Sequence, residues 1–235
     1  TRNHSSAASD VYKRQLEGVT DPEEKRKVIG EQFIRVFEEE QDKCGAKFLV
    51  QGTIAPDWIE SGGGQRDVIK SHHNVGGLPE DVDLVIVEPL REFYKDEVRQ
   101  IARQLGIRSS ERQPFPGPGL AVRVLGKLTR SRVEACREAC HIVETRLREA
   151  SEKGLCDLPW QYFATLLPVR SVGVHGDARV HGETVVVRAV KSLDGMSARY
   201  SEIPHEVLAL ISTEITNSLK GQVNRVVYDL SLIHI

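Results

Sequence analysis

Residues 112–120 read RQPFPGPGL, three prolines and two glycines within nine positions. Proline fixes φ and has no amide hydrogen to donate, so neither a helix nor a sheet ladder continues through such a run. The run places a domain boundary there. With 235 residues, 40% of them hydrophobic, the chain is long enough for one large core or two modest ones.

Before the boundary the pattern is α/β. In DPEEKRKVIGEQFIRVFEEEQDKC, 21–44, Val28, Ile29, Phe33, Val36 and Phe37 recur at helical spacing, with Asp21 at the N-cap, Pro22 at the first helical position, acids in the first turn and Gly45 as terminator. The apolar runs KFLVQGTI, 47–54, and VDLVIVEPL, 82–90, are expected as buried strands. Between them lies a long polar, glycine-bearing insertion with a brief helix candidate, Pro56 to Ser61. REFYKDEVRQIARQLG, 91–106, predicts a second helix with Gly106 as its C-cap.

After the boundary the expected order is strand, helix, two strands, helix, strand. LAVRVLG, 120–126, alternates like a strand. The helix that follows places Val133, Cys136, Cys140, Val143 and Leu147 on one face. VRSVGVHG (169–176) and ETVVVRAVKS (183–192) are expected to pair, a helix to cover 202–219 and a last strand 222–230. This is an α+β sheet with helices on one face, whose other face suits a second copy of itself.

The formal net charge is −2 with a pI near 6.4. The whole chain therefore exerts no global pull on nucleic acid or an anionic membrane, and any anion site is local. Nucleic-acid binding is further disfavoured by the lack of aromatic stacking platforms. Cysteines 44, 136, 140 and 156 show no paired short spacing, and no apolar run reaches a membrane span. A reducing cytoplasm fits. Cys136, Cys140 and His141 match neither CxxC nor CxxCH, so the two thiols are read as small apolar side chains on a buried face.

The chemistry-bearing stretch is IKSHHNVGGLP, 69–79. Lys70 brings a point charge, His72 and His73 bring donors, and Gly76 and Gly77 let backbone N–H groups approach phosphate oxygens. A zinc site needs about four ligands and finds no partners at fitting distance. Asp57 and Glu60, one helical turn apart, suit a hard cation such as Mg²⁺. GVHGDARVHG, 173–182, offers Asp177 and Arg179 in a hairpin.

Taken together, DPEEKRKVIG, QGTIAPDWIESG, IKSHHNVGGLPED, EPLREFYKDEVR, RQPFPGPGLAVRVLG, LPVRSVGVHGD and QVNRVVYD resemble the ATP pyrophosphatase and dimerisation regions of GMP synthetase, over residues 16–230. The unfused form, with its glutaminase on a separate chain, is slightly favoured over the fused one. The resemblance implies a partial Rossmann-like sheet of the adenine nucleotide alpha hydrolase (N-type ATP pyrophosphatase) class over 16–113, followed by an α+β dimerisation domain over 114–230. It also implies a cytoplasmic homodimer that makes GMP from XMP through adenylation by ATP and displacement of AMP by ammonia from a glutaminase domain or subunit. ATP and Mg²⁺ would be required. Residue by residue, Gly52 and Thr53 border ATP, and Asp57 and Glu60 serve Mg²⁺ and pyrophosphate. Lys70, His72 and His73 belong to a mobile lid over ATP, Arg26 meets the XMP phosphate, and Asp177 and Arg225 touch nucleotide. The family's SGGxDS loop and its tail similar to KPPxTIEWE are missing, so the chain as it stands is expected to be inactive. Residues 1–15, ending in VYKRQ, and 231–235, SLIHI, are read as artefactual ends, or the first as a disordered tail. Two alternatives stand: another N-type ATP pyrophosphatase, such as NAD synthetase or a tRNA-thiolating enzyme, and a dimerisation and nucleotide-binding module only.

Overall fold

A computed structural model describes residues 16–57, 85–107, 113–114, 119–175, 177–192 and 198–231. They fold as two compact units, one of Arg26–Arg112 and one of Gln113–Ile235 together with the chain up to Lys25.

Helix α1, Pro22–Cys44, starts where its local chemistry dictates. Asp21 Oδ1 accepts from the amides of Glu23 and Glu24 at 2.9 and 3.0 Å, and Gly45 ends the helix at φ 65°. Of its expected apolar face, Ile29 is buried while Phe33, Val36 and Phe37 are exposed. Strands β1, Phe48–Val50, and β2, Val85–Val87, pair in parallel with Phe48 opposite Val85. They are not the buried strands expected from their composition. Phe48 and Val50 are 62% and 68% exposed, because among the described residues no layer covers this two-stranded sheet, whereas parallel sheets ordinarily need one on each face.

Helix α2, Lys95–Gln104, starts four residues later than its periodicity predicts. The reason is tertiary: Phe93 O accepts from Ala55 N and Phe93 N donates to Leu90 O, which holds residue 93 in a turn. Glu97 then caps the helix by accepting from Tyr94 N at 2.7 Å.

In the other unit, 120–126 is not the expected strand. Leu120–Arg123 form one helical turn, α3, and only Val124 bridges to Leu166, with Leu125 N donating to Leu166 O at 2.9 Å. Gly119, at φ 58°, turns the chain into α3. Helix α4, Arg130–Glu152, is capped by Thr129 and buries Val133, Cys136, Cys140, Val143 and Leu147 as the pattern predicts.

Strand β3, Gln161–His175, begins earlier than expected and forms an antiparallel hairpin with β4, Ala178–Lys191. On the other edge of β4, β5 (Arg199–Tyr200) pairs antiparallel and β6 (Val223–Tyr228) parallel. Helix α5, His205–Ser218, joins α4 over one face. The core lies between them: Ala164, Leu166, Val185, Val187 and Ala189 from the sheet meet Val143 and Leu147 of α4 and Val207, Ile211 and Ile215 of α5. Each buried Val, Leu or Ile of this set contributes about 1.5–3 kcal/mol. Among the described residues no helix is long and apolar enough to cross a membrane.

Candidate nucleotide site

The C-terminal ends of parallel strands, where the side-chain layers open, are the usual place for ligands in α/β folds. In the unit Arg26–Arg112 those ends carry the only cluster of buried polar side chains among its described residues. Gln51 N donates to Val87 O at 2.9 Å, extending the β1–β2 ladder by one step. The chain then leaves the sheet through Gly52 and Thr53 into a helical turn at Ala55–Asp57. Gln51, Thr53 and Asp57 are buried, while Gly52 between them is exposed. A Cβ on Gly52 would meet nothing within 4 Å, so its backbone is open to close approach.

The polar contacts knit this end together. Thr53 Oγ1 donates to Glu88 Oε1 at 2.6 Å, Arg91 Nη1 donates to Glu88 Oε2 at 3.1 Å, and Asp57 Oδ2 accepts from Ile54 N at 3.0 Å. Gln51 Oε1 is buried with no protein donor. An acceptor stranded this way costs free energy until a donor reaches it. Two carboxylates, an open glycine backbone and an unsatisfied acceptor make a donor set that fits a hydroxylated, phosphorylated ligand with a hard cation. Among the described residues no group of three or more His, Cys, Asp or Glu is gathered as a metal cage.

Gly52, Thr53 and Asp57 are thus brought together. Arg26 lies half-buried on α1. Glu60, Lys70, His72 and His73 lie outside the described residues, as does the rest of 58–84. Glu88 and Arg91 were missed by reading sequence alone, although Glu88 is the first polar residue after the run that forms β2. Gln51 was missed as well.

In the other unit Asp177 is exposed in the β3–β4 turn, and Arg225 is exposed on β6 with Nε donating to Ser171 Oγ at 3.2 Å. Ser171 pairs with Gly182, five positions along β4 from Asp177, a span of about 17 Å at about 3.4 Å per residue. Asp177 at the hairpin turn and Arg225 beside Ser171 therefore mark separate points of this unit. Beside Arg225, Asn224 Nδ2 donates to the carbonyls of Ser171 and Val180 at 2.5 and 3.2 Å, lying over Gly173 and Gly182. Lys25 was not anticipated either: wholly buried, it donates to Val124 O at 2.7 Å and Gly126 O at 2.6 Å.

Comparison with known proteins gives a consistent result. The family described as GMP synthase C terminal domain matches residues 148–232. A GMP synthase (glutamine-hydrolyzing) subunit of Thermoplasma volcanium is 52% identical over 224 residues, 95% of this chain and 71% of that protein. The corresponding subunit of Thermococcus kodakarensis is 55% identical over 230 residues, 97% of this chain and 72% of its own length. The GMP synthase (glutamine-hydrolyzing) of Clostridium tetani is 53% identical over 227 residues, 95% of this chain and 44% of its own.

Proposed function

From the premise that this chain belongs to the GMP synthase family, ligases of purine nucleotide synthesis, we propose that it aminates XMP at the expense of ATP. The oxygen on C2 of the xanthine ring attacks the α-phosphorus of ATP, the bond to the β-phosphate breaks and pyrophosphate leaves. Ammonia then adds at C2 and AMP departs, giving GMP. The observation that carries this reading is the polar cluster at the C-terminal ends of β1 and β2, where exposed Gly52 sits between buried Gln51 and Thr53 with Asp57 and Glu88 beside them.

In this reading the parallel pair β1–β2 belongs to a Rossmann-like ATP pyrophosphatase sheet within 16–113, and 114–230 form a dimerisation domain. The backbone at Gly52 and Thr53 approaches the triphosphate, and Asp57 with Glu60 would hold Mg²⁺. Bound there, Mg²⁺ would supply charge neutralisation to the phosphates. Lys70, His72 and His73 close over the phosphates, placing fixed positive groups where charge develops and keeping water from the adenylate. Arg26 orients the XMP phosphate, and in the second unit Asp177 of the β3–β4 turn and Arg225 of β6 contact nucleotide. Ammonia comes from a glutaminase, either on a separate chain, as the naming of two relatives as subunits suggests, or fused.

The test is XMP-dependent release of pyrophosphate from ATP with ammonium as nitrogen donor, measured in a full-length relative such as the Thermoplasma volcanium subunit with the substitutions at the equivalent positions. Lys70→Ala and Asp57→Asn are each expected to lower the rate roughly 10²-fold or more, with the folded fraction unchanged for Lys70→Ala. Release unaffected by both substitutions would overturn the site. A chain that dimerises with no effect of nucleotide and releases no pyrophosphate would instead be a binding module.

A further inference from the structure

Arg225 reaches sideways along the sheet. It stands on β6 opposite Thr184 of β4, and its Nε donates to Ser171 Oγ on β3, one strand further on, at 3.2 Å. The strand it crosses has no side chain in the way, because Ser171 pairs there with Gly182. Ser171 is itself held. Its hydroxyl donates to Asn224 Oδ1 at 3.1 Å, which leaves its lone pairs for Arg225. Asn224 in turn donates from Nδ2 to the carbonyls of Ser171 and Val180. Its orientation is thereby fixed, since the amide end faces two acceptors and the carbonyl end faces the hydroxyl. Two glycines make the room: a Cβ on Gly173 would come 3.1 Å from Asn224 Cβ, and one on Gly182 2.8 Å from Asn224 N.

The far end of Arg225 is open. The residue is exposed, and among the described residues no group other than Ser171 accepts from it. With Nε engaged, the Nη1–Nη2 edge of the guanidinium presents two parallel donors, the fork that matches a phosphate or carboxylate. A long side chain ordinarily has to be immobilised when its ligand arrives, and that cost is subtracted from the affinity. Here a hydroxyl that cannot turn holds the guanidinium beforehand.

We propose that Ser171 is a positioning residue, held by Asn224, that sets the Arg225 guanidinium for a bidentate grip on a phosphate-like pair of oxygens of the nucleotide. This rests on Arg225 contacting nucleotide, as proposed for the second unit, and adds the residues that aim it. Asn224 fixes the hydroxyl, the hydroxyl fixes Nε, and Nε fixes the plane in which the two outer donors lie.

Threonine and valine at position 171 have nearly the same shape and differ in the hydroxyl, so they separate aiming from packing. In the same full-length relative, with the substitutions at the equivalent positions, Ser171→Thr is expected to keep the parent's KM for XMP. Ser171→Val should raise it roughly 2–10-fold, the cost of ordering one long side chain on binding. In both, kcat at saturating XMP should hold. Arg225→Gln should raise KM about tenfold or more through loss of the charge-assisted pair, and adding Ser171→Val to it should cost nothing further. In this chain itself, NMR of the arginine side chains should find the Arg225 Nε–H protected from exchange in the parent and in Ser171→Thr, and exchanging freely in Ser171→Val. If Arg225→Gln leaves KM unchanged, the nucleotide contact and its aiming both fall. If Arg225→Gln raises KM while threonine and valine behave alike, the contact stands and the role of Ser171 is overturned. An Nε–H that exchanges equally in all three chains overturns that role too.

Discussion

Lys25 shows how far one side chain departs from what its neighbours in sequence suggest. In the run EEKRK it looks like a solvated charge, yet it is fully buried with its ammonium on two carbonyls. Burial, then the charge of Arg132, lowers its pKa from 10.5 to about 8, partly opposed by Asp21. Between those values the unfolded chain still holds the proton that the fold has released, so Lys25's contribution to stability rises with pH across that window and is flat below it. Urea unfolding should show Lys25→Met less stable by about 1–3 kcal/mol, since two buried carbonyls lose their donor. The gap to the parent should widen from pH 7.5 to 9.5, and a gap that narrows would mean the fold grips the ammonium rather than the amine. Glycines give a second residue-scale contrast. A Cβ at Gly182 would come 2.8 Å from the amide nitrogen of Asn224, whereas one at Gly30 on α1 meets nothing. Gly182→Ala should cost about 1–3 kcal/mol, and Gly30→Ala should add about 0.5–1 kcal/mol, both read from denaturation midpoints.

Elements were legible to the degree that short-range forces define them. The start of α1 follows from Asp21 and Pro22, and the buried face of α4 from the spacing of Val133, Cys136, Cys140, Val143 and Leu147. By contrast LAVRVLG alternates like a strand and yet its first four residues form α3, because Gly119 turns the chain and only Val124 forms a bridge to β3. The late start of α2 likewise depends on Ala55, forty residues from the helix it delays. Helix α5 gives the element-scale prediction. Ile211 is 0% and Leu210 50% exposed. Ile211→Ala should lower stability by about 2–5 kcal/mol, and Leu210→Ala should stay within about 0.5 kcal/mol of the parent. Equal losses would mean that α5 packs with a different face.

At the scale of the molecule the two units differ in how much they bury. Among the described residues of Arg26–Arg112 the buried hydrophobics are Ile29 and Ala55, and α2 buries none of its residues. The other unit holds the continuous core of α4, α5 and the sheet. Native-state hydrogen exchange should therefore protect the amides of α4 and β4 most, and those of β1, β2 and α2 far less. Equal protection in both would contradict this ordering.

The candidate site divides along the same line. Gly52, Thr53 and Asp57 sit within six residues of one motif, so the sequence alone sets them close together. Glu88 joined them only through the parallel pairing of β1 with β2, 35 positions from Thr53. Sequence by itself determined the N-cap of α1 and the buried face of α4, because each rests on residues spaced a turn apart, and it carried the family resemblance through short contiguous motifs. Tertiary structure alone decided that Lys25 is buried against Val124, that Arg123 faces Cys140 and that Asn224 lies on two glycines. Each of these contacts closes a loop of many residues, and the entropy of closing it is met only by the core assembled around it.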